Sequence, residues 1–241
     1  MNITERQSAI LMAIIKEFME DVEEVGSLSL VEKYNLGVSS ATIRNEMVKL
    51  MQLGLLEKSH VSSGRYPTDQ ALRLYVSQML DRSSVNPMLS IEIRQGIFRD
   101  RFSRDIVIKS ILQILSKETG SVVFLILDED MRYYGLANLL SFEEFQEIEK
   151  LKSIVEILED DVFLRNITEK YSSSGVSLLI GQESGVGTLN ECAIAFTKIP
   201  FWGKQNSYAG IIGSKRMDYC KVISALREVK NSLETSMSGW R

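Results

Sequence analysis

The chain has 241 residues, 44% hydrophobic and 25% charged, an ordinary globular composition with length for two modest domains. A net charge of −4 excludes nucleic-acid binding through overall charge, so any such surface must be a local patch. One histidine, His60, and two widely spaced cysteines, Cys192 and Cys220, leave little room for a metal centre or a Ser-His-Asp triad.

Thr4-Glu5-Arg6-Gln7 reads as a capping box. Ile10, Leu11, Ile14, Ile15, Phe18, Met19 and Val22 then mark one apolar face of a long helix, with Glu17, Glu20, Asp21, Glu23 and Glu24 on the other. Gly26-Ser27 stops this helix and caps a short second one, about Leu28 to Tyr34. Gly37 supplies a left-handed turn residue, and Ser39 is set to cap a third helix that ends at Gly54. Leu55 to His60 reads as a strand, Val61 to Tyr66 as a polar turn, and Thr68 as the cap of a fourth helix striped by Leu72, Tyr75, Val76, Met79 and Leu80. Helix, short helix, turn, helix and hairpin is the order of a winged helix-turn-helix.

The polar stretch Asp81 to Pro87 marks a boundary. The expected organisation is a winged helix DNA-binding domain over 1–82, a linker over 83–87 and a second domain over 88–241. In the second domain Ile91 to Ser116 reads as mostly helical, Val122 to Leu127 as a buried strand and Tyr133 to Leu136 as another. Phe142 to Leu158 and Val162 to Tyr171 read as helices, Val176–Ile180, Glu191–Thr197 and Tyr208–Ile212 as strands, and Met217 to about Ser236 as the closing helix. The fold class is therefore α+β, with an antiparallel sheet favoured.

The third helix carries the functional signal. At about 100° per residue, Ile43, Met47 and Leu50 fall together on the core side. Ala41, Asn45, Val48 and Gln52 fall opposite, flanked by Thr42, Arg44 and Lys49. A small residue permits close backbone approach, Asn45 can bond adenine twice, and Arg44 can bond guanine or a phosphate. Ser39, Ser40 and Thr42 stand at the helix start, where hydroxyls and free amides meet phosphate. The turn adds His60, Ser62, Ser63, Arg65 and Tyr66 around Gly64, suited to backbone or minor groove. Over residues 39–73, Arg44, Lys49, Lys58, Arg65 and Arg73 outnumber Glu46, Glu57 and Asp69, which polarises a domain whose first helices are acidic. The same pattern leaves open a solvated face or a winged helix that contacts protein.

Two runs resemble a known family closely: Ser39-Ser40-Ala41-Thr42-Ile43-Arg44-Asn45-Glu46-Met47, and His60-Val61-Ser62-Ser63-Gly64-Arg65-Tyr66-Pro67-Thr68-Asp69. So do Gly135-Leu136-Ala137-Asn138-Leu139-Leu140, Ile180-Gly181-Gln182-Glu183 and the closing Gly210 to Tyr219. Together they resemble the heat-inducible transcription repressor HrcA family. That resemblance implies a cytoplasmic, dimeric repressor of heat-shock (chaperone) genes that binds double-stranded DNA at an inverted-repeat operator, with the chaperonin GroEL as modulating partner. It also implies a GAF-like second domain with a dimerising insertion. This chain is shorter than typical members, and the stretch from about Ser84 to Asp130 looks too short for the first GAF half plus the insertion, so the second domain is expected to be truncated. The closing motif has Ser214-Lys215 where the family usually has Pro-Thr.

Other features fit bland structural roles. Arg216, Asp218 and Tyr219 are candidates for a dimer or partner contact, or for a helix-start ion pair. Gly181 to Gly187 lacks the lysine of a phosphate loop and reads as a turn. Phe201-Trp202 reads as a hairpin tip whose aromatics could be exposed. The acids Glu143-Glu144 and Asp160-Asp161 read as solvated faces, and the cysteines as buried reduced thiols. With no nucleophile, base and orienter in view, the expectation is no enzyme, no cofactor, no metal and no membrane segment. A rival reading keeps the DNA-binding head but places control with a small-molecule ligand in the second domain.

Overall fold

The computed structural model describes residues 3–20, 25–58, 64–79 and 87–238. The chain divides into two compact units, Met1–Asp81 and Arg82–Arg241. In the first, the elements run α1 (Glu5–Glu20), α2 (Ser27–Lys33), α3 (Ser40–Gln52), β1 (Leu56–Glu57), β2 (Tyr66–Pro67) and α4 (Asp69–Met79).

The capping box forms reciprocally: the Thr4 N–H donates to Gln7 Oε1 at 3.0 Å, and the Gln7 N–H donates to Thr4 Oγ1 at 3.2 Å. Ile10, Leu11, Ile14, Ile15 and Phe18 are buried, as the apolar stripe requires, and α1 packs on α3, α4 and β2. Val22 and the acids Asp21, Glu23 and Glu24 lie outside the described residues. Glu17, on the acidic face of α1, finds partners within the unit. Its carboxylate pairs with Lys33 and accepts a hydrogen bond from Tyr34 Oη at 3.0 Å, which ties the end of α2 to α1. Burial and this neighbouring carboxylate push the Tyr34 hydroxyl up to about 12.

Gln7 also reaches across to α3. Its Nε2 donates to Glu46 Oε2 at 3.0 Å, and Glu46 Oε1 accepts from Lys49 Nζ at 2.8 Å. The Lys49 and Gln7 hydrogen bonds hold the Glu46 carboxyl below its usual value of 4.5.

The hairpin is shorter than the sequence suggests. The N–H of Leu55, expected to open a strand, donates instead to Leu50 O at 2.9 Å and closes the end of α3. Only Leu56↔Pro67 and Glu57↔Tyr66 pair, and Val25 adds a bridge to Arg65 that sequence reading missed. Thr68 caps α4 as expected, accepting from the Ala71 N–H at 3.3 Å. Ser27 does not cap α2; Gly26 holds the N-cap position and Ser27 is buried in the first turn.

The second unit contains α5 (Pro87–Arg99), α6 (Arg104–Thr119), β3 (Val122–Leu127), β4 (Asp130–Tyr134), α7 (Ile148–Glu159), α8 (Asp161–Tyr171), β5 (Ser177–Ile180), β6 (Cys192–Lys198), β7 (Ser207–Ser214) and α9 (Tyr219–Ser238). The strands form one antiparallel sheet in the order β4-β3-β7-β6-β5. The central strands β3 and β7 are buried throughout, because α6 and α9 cover one face and an apolar cluster around Phe124, Phe145, Leu158 and Phe196 covers the other. Sheets buried on both faces read as continuous apolar runs, which is why Val122 to Leu127 stood out. β4 alternates exposed and half-buried residues, as an edge strand does.

Several boundaries move. The stretch from about Ser84 to Asp130, expected to be too short for the first half of this domain plus an insertion, holds α5, α6 and a complete β3 among its described residues. The helix expected from Phe142 begins at Ile148; residues 136–145 form 3-10 turns, and Phe145 turns inward against Phe142 with ring centroids 6.3 Å apart. Glu144 is not solvated, and Asp160 caps α8 through the Val162 N–H at 3.2 Å. Phe201 is buried and meets Trp202 edge to face at 4.7 Å, so the hairpin tip is no exposed aromatic patch. Cys192 is buried, with its thiol pushed up to about 12 by desolvation, whereas Cys220 is half-buried. Among the described residues no helix is long and apolar enough to cross a membrane, and no group of three metal-binding side chains occurs.

Two predictions follow from this packing. The Phe124 ring lies across Gly210 on the paired strand, in the space a Cβ there would occupy. Gly210→Ala should cost about 2–3 kcal/mol in chemical denaturation by overpacking; a loss near zero would show that the ring can yield. Glu46 has a depressed folded-state value, so its contribution is complete above the unfolded value of 4.5 and disappears as pH falls through the lower folded one. Glu46→Gln should therefore flatten the acid limb of a melting-temperature profile below that value, and an unchanged limb would contradict the Gln7–Glu46–Lys49 link.

Candidate nucleic-acid interface

The interface is built on α3, whose position in the first unit follows from its sequence. Gly37, at φ +67°, turns the chain after α2 in a conformation that side chains rarely adopt. Ser39 then caps α3, its hydroxyl accepting from the Thr42 N–H at 3.2 Å and lying 3.0 Å from Thr42 Oγ1. Ile43, Met47 and Leu50 are buried, which fixes the helix rotation. Ala41, Arg44, Asn45, Val48, Lys49 and Gln52 are consequently exposed, while Ser40 and Thr42 are half-buried at the helix start.

Of the seven positions expected to meet nucleic acid on α3 and its cap, Ser39, Ser40, Ala41, Thr42, Arg44 and Asn45 fall in the N-terminal half and Lys49 in the last turn. They are not equivalent. Lys49 is held by Glu46, so part of its charge is neutralised within the unit. Arg44 is exposed and has no ion pair among the described residues. Val48, 43% exposed in the middle of the polar face, was placed outward by the helical wheel but given no role. An exposed β-branched side chain beside an asparagine has the shape to meet a thymine methyl group.

A cleft of about 360 Å³ opens beside α3, lined by Gly26, Ser27, Leu28, Arg44, Met47, Lys58 and Arg65. It brings Arg44 together with Lys58, just beyond β1, and with Arg65, which opens the return strand. Arg65 Nη1 donates to Gly64 O at 2.8 Å and its Nε contacts Met51 Sδ at 2.8 Å, so this guanidinium is positioned by the hairpin and the end of α3. Lys58 was counted in the local charge but not recognised as part of a site. The signal was available only as a charge, because the Val25–Arg65 bridge that shapes the cleft joins residues 40 positions apart in sequence. Three cations around a concavity, with no acid among its lining residues, create a local positive potential that suits a phosphate oxygen. Tyr66 is half-buried on β2, edge to face with Phe18 at 6.1 Å, and so is committed to the core at least in part. His60, Ser62 and Ser63 lie outside the described residues.

In the second unit the structure places Arg216, Asp218 and Tyr219 in different environments. Arg216 pairs with Glu144 through Nη2–Oε2 and Nε–Oε1 contacts of 3.3 Å, with both side chains about one-tenth exposed. Ser214 completes the network: its hydroxyl bonds Glu144 and accepts the Arg216 N–H at 3.0 Å. Tyr219 is buried, its hydroxyl donating to Lys215 O at 2.6 Å. Only Asp218 is exposed, and it accepts from the Lys221 N–H at 3.0 Å at the start of α9. These residues hold the β7–α9 corner to the turn before α7.

The chain is 25% identical to the heat-inducible transcription repressor HrcA of Clostridium botulinum (strain Eklund 17B / Type B) over an alignment of 342 positions that spans 99% of each chain. It is 25% identical to that of Moorella thermoacetica over 339 positions, spanning 98% of each. Alignments this long against 241 residues mean that the relatives carry segments this chain lacks. A hypothetical protein solved at 2.2 Å shares the fold, with a TM-score of 0.81 and 21% identity over 99% of each chain. The family model described as the HrcA protein C terminal domain matches residues 38–223, from the turn before α3 into α9, and the chain belongs to the HrcA family.

Proposed function

We propose that this chain is a transcriptional repressor that binds an inverted-repeat operator in double-stranded DNA, through the first unit as a winged helix-turn-helix. The observation that carries the reading is the exposed Ala41–Asn45–Val48 face of α3 with the Arg44–Lys58–Arg65 cleft beside it. In this reading α3 enters the major groove. Asn45 and Val48 face base edges, Ala41 allows close approach, and Ser39, Ser40 and Thr42 lie along the sugar–phosphate rail. The cleft favours the phosphate role for Arg44 over a guanine contact, with Lys58 and Arg65 around the same anion. Lys49, already paired, adds charge at the flank. The hairpin bearing His60, Ser62, Ser63, Arg65 and Tyr66 serves as the wing.

The relatives are named heat-inducible transcription repressors, which supports chaperone genes as the targets. A sheet whose first strand in sequence pairs with its last supports a GAF-like second unit with a regulatory and dimerising role. The face of that sheet where a small ligand could sit is lined by Phe124, Phe145, Phe196 and Leu139, all buried, so control by a partner such as the chaperonin GroEL is favoured over a metabolite. None of this chemistry calls for a catalytic group, and the protein acts by occupancy of DNA.

Gel-shift titration against a duplex selected from a random-sequence pool tests the assignment. Asn45→Ala should lower affinity for the selected duplex by about 1–3 kcal/mol and relax its sequence preference. Lys58→Gln should weaken binding to all duplexes alike and reduce the slope of log affinity against log salt by about 1. Wild-type affinity and slope in both variants would sink the interface.

A further inference from the structure

Among the exposed residues of α3, Val48 is the one that local stability does not explain. Valine is a poorer helix former than alanine, lysine or glutamine, because its branched side chain is restricted by the preceding turn. At 43% exposure it buries too little surface to offset that. Its place in the helix is specific. Ala41, Asn45, Val48 and Gln52 follow one another at intervals of four, three and four residues. At about 100° per residue this confines them to roughly 60° of arc, opposite the buried Ile43, Met47 and Leu50. The Asn45 amide makes no hydrogen bond among the described residues, so both its donor and its acceptor are available. The row thus sets a free amide and a bare branched hydrocarbon side by side, one helical turn apart.

We infer that Val48 is a specificity-determining residue, and that α3 recognises two neighbouring A·T pairs, with Asn45 on the adenine of one and Val48 on the thymine methyl of the other. Adenine presents an acceptor and a donor to the major groove, which match the two ends of an amide, while the thymine C5-methyl is the one apolar group on any base edge there. Valine against that methyl takes hydrocarbon out of water on both sides. Valine against cytosine would instead cover an amino group and leave its N–H unpaired, so the contact discriminates as well as attracts. The spacing selects adjacent pairs. Three residues of helix advance about 4.5 Å along the axis, close to one base step of roughly 3.4 Å and well short of two. Ala41 at the head of the row has no side chain to hold the helix away from the groove floor. Arg44 lines the cleft with Lys58 and Arg65 and so does not compete for these base edges.

This inference rests on the DNA-binding reading above and names what the α3 face recognises. Its test remakes the duplex selected by the full chain with each thymine replaced singly by deoxyuridine, which removes the C5-methyl and keeps the base pairing. Each version is titrated by gel shift. For the wild-type chain, one such replacement should weaken binding about fourfold, the scale of one methyl group returned to water. It should fall at a pair next to the one where Asn45→Ala relaxes the preference for adenine. Val48→Ala should bind the parent duplex at least about fourfold more weakly and lose nothing further on that deoxyuridine version, because the two changes remove the same contact. Alanine is the better helix former and the site is exposed, so the fold is not what this variant changes. A wild-type chain that selects no duplex overturns both the DNA-binding reading and this inference. A selected duplex whose deoxyuridine losses are equal in wild type and Val48→Ala, or fall away from the pair read by Asn45, overturns the assignment of Val48 alone.

Discussion

The proposed DNA contact depends on how α3 is held in rotation about its own axis. A helix presents a new face every 100°, so a recognition edge exists only if one rotation is strongly favoured. Ile43, Met47 and Leu50 supply most of that preference by burial. The polar chain from Gln7 through Glu46 to Lys49 supplies the rest, because a carboxylate this buried is tolerated only with both hydrogen bonds in place. The capping-box glutamine in the first turn of α1 thus helps orient the helix proposed to read DNA.

The same economy of local contacts shapes the cleft. Gly26 and Ser27 open α2, Val25 pairs with Arg65, and Lys58 follows the strand that pairs with β2. Cations from α3 and from both arms of the hairpin therefore converge without any single segment being strongly basic. A protein with a net charge of −4 can in this way offer phosphate a concentrated positive site.

Much of this was legible in the sequence, for identifiable reasons. The capping box, the left-handed Gly37, the Ser39 cap and the alternation of buried and exposed positions on α3 are local, and local rules describe them. The central strands were legible because strands buried on both faces leave long apolar runs. Contacts between distant residues were not. Glu144 looked solvated, and Glu17 showed only as part of an acidic face, because their partners, Arg216 and Lys33, are set by tertiary packing. The contribution of Lys58 depends on a bridge across 40 residues, and the short β1 reflects the competing use of the Leu55 N–H to close α3. Phe142 to Glu147 matched a helical pattern, yet packing Phe145 inward breaks that stretch into tight turns.

The central claim is that the Ala41–Asn45–Val48 side of α3, and not another surface of the first unit, lies against DNA. Photo-crosslinking measures this directly, with a photoreactive side chain placed in turn at Ala41, at Gln52 and at exposed Lys16 on α1, each mixed with duplex DNA at low salt. The account predicts covalent adducts from positions 41 and 52 and none from position 16. Equal yields from all three, or adducts from position 16 alone, would contradict it.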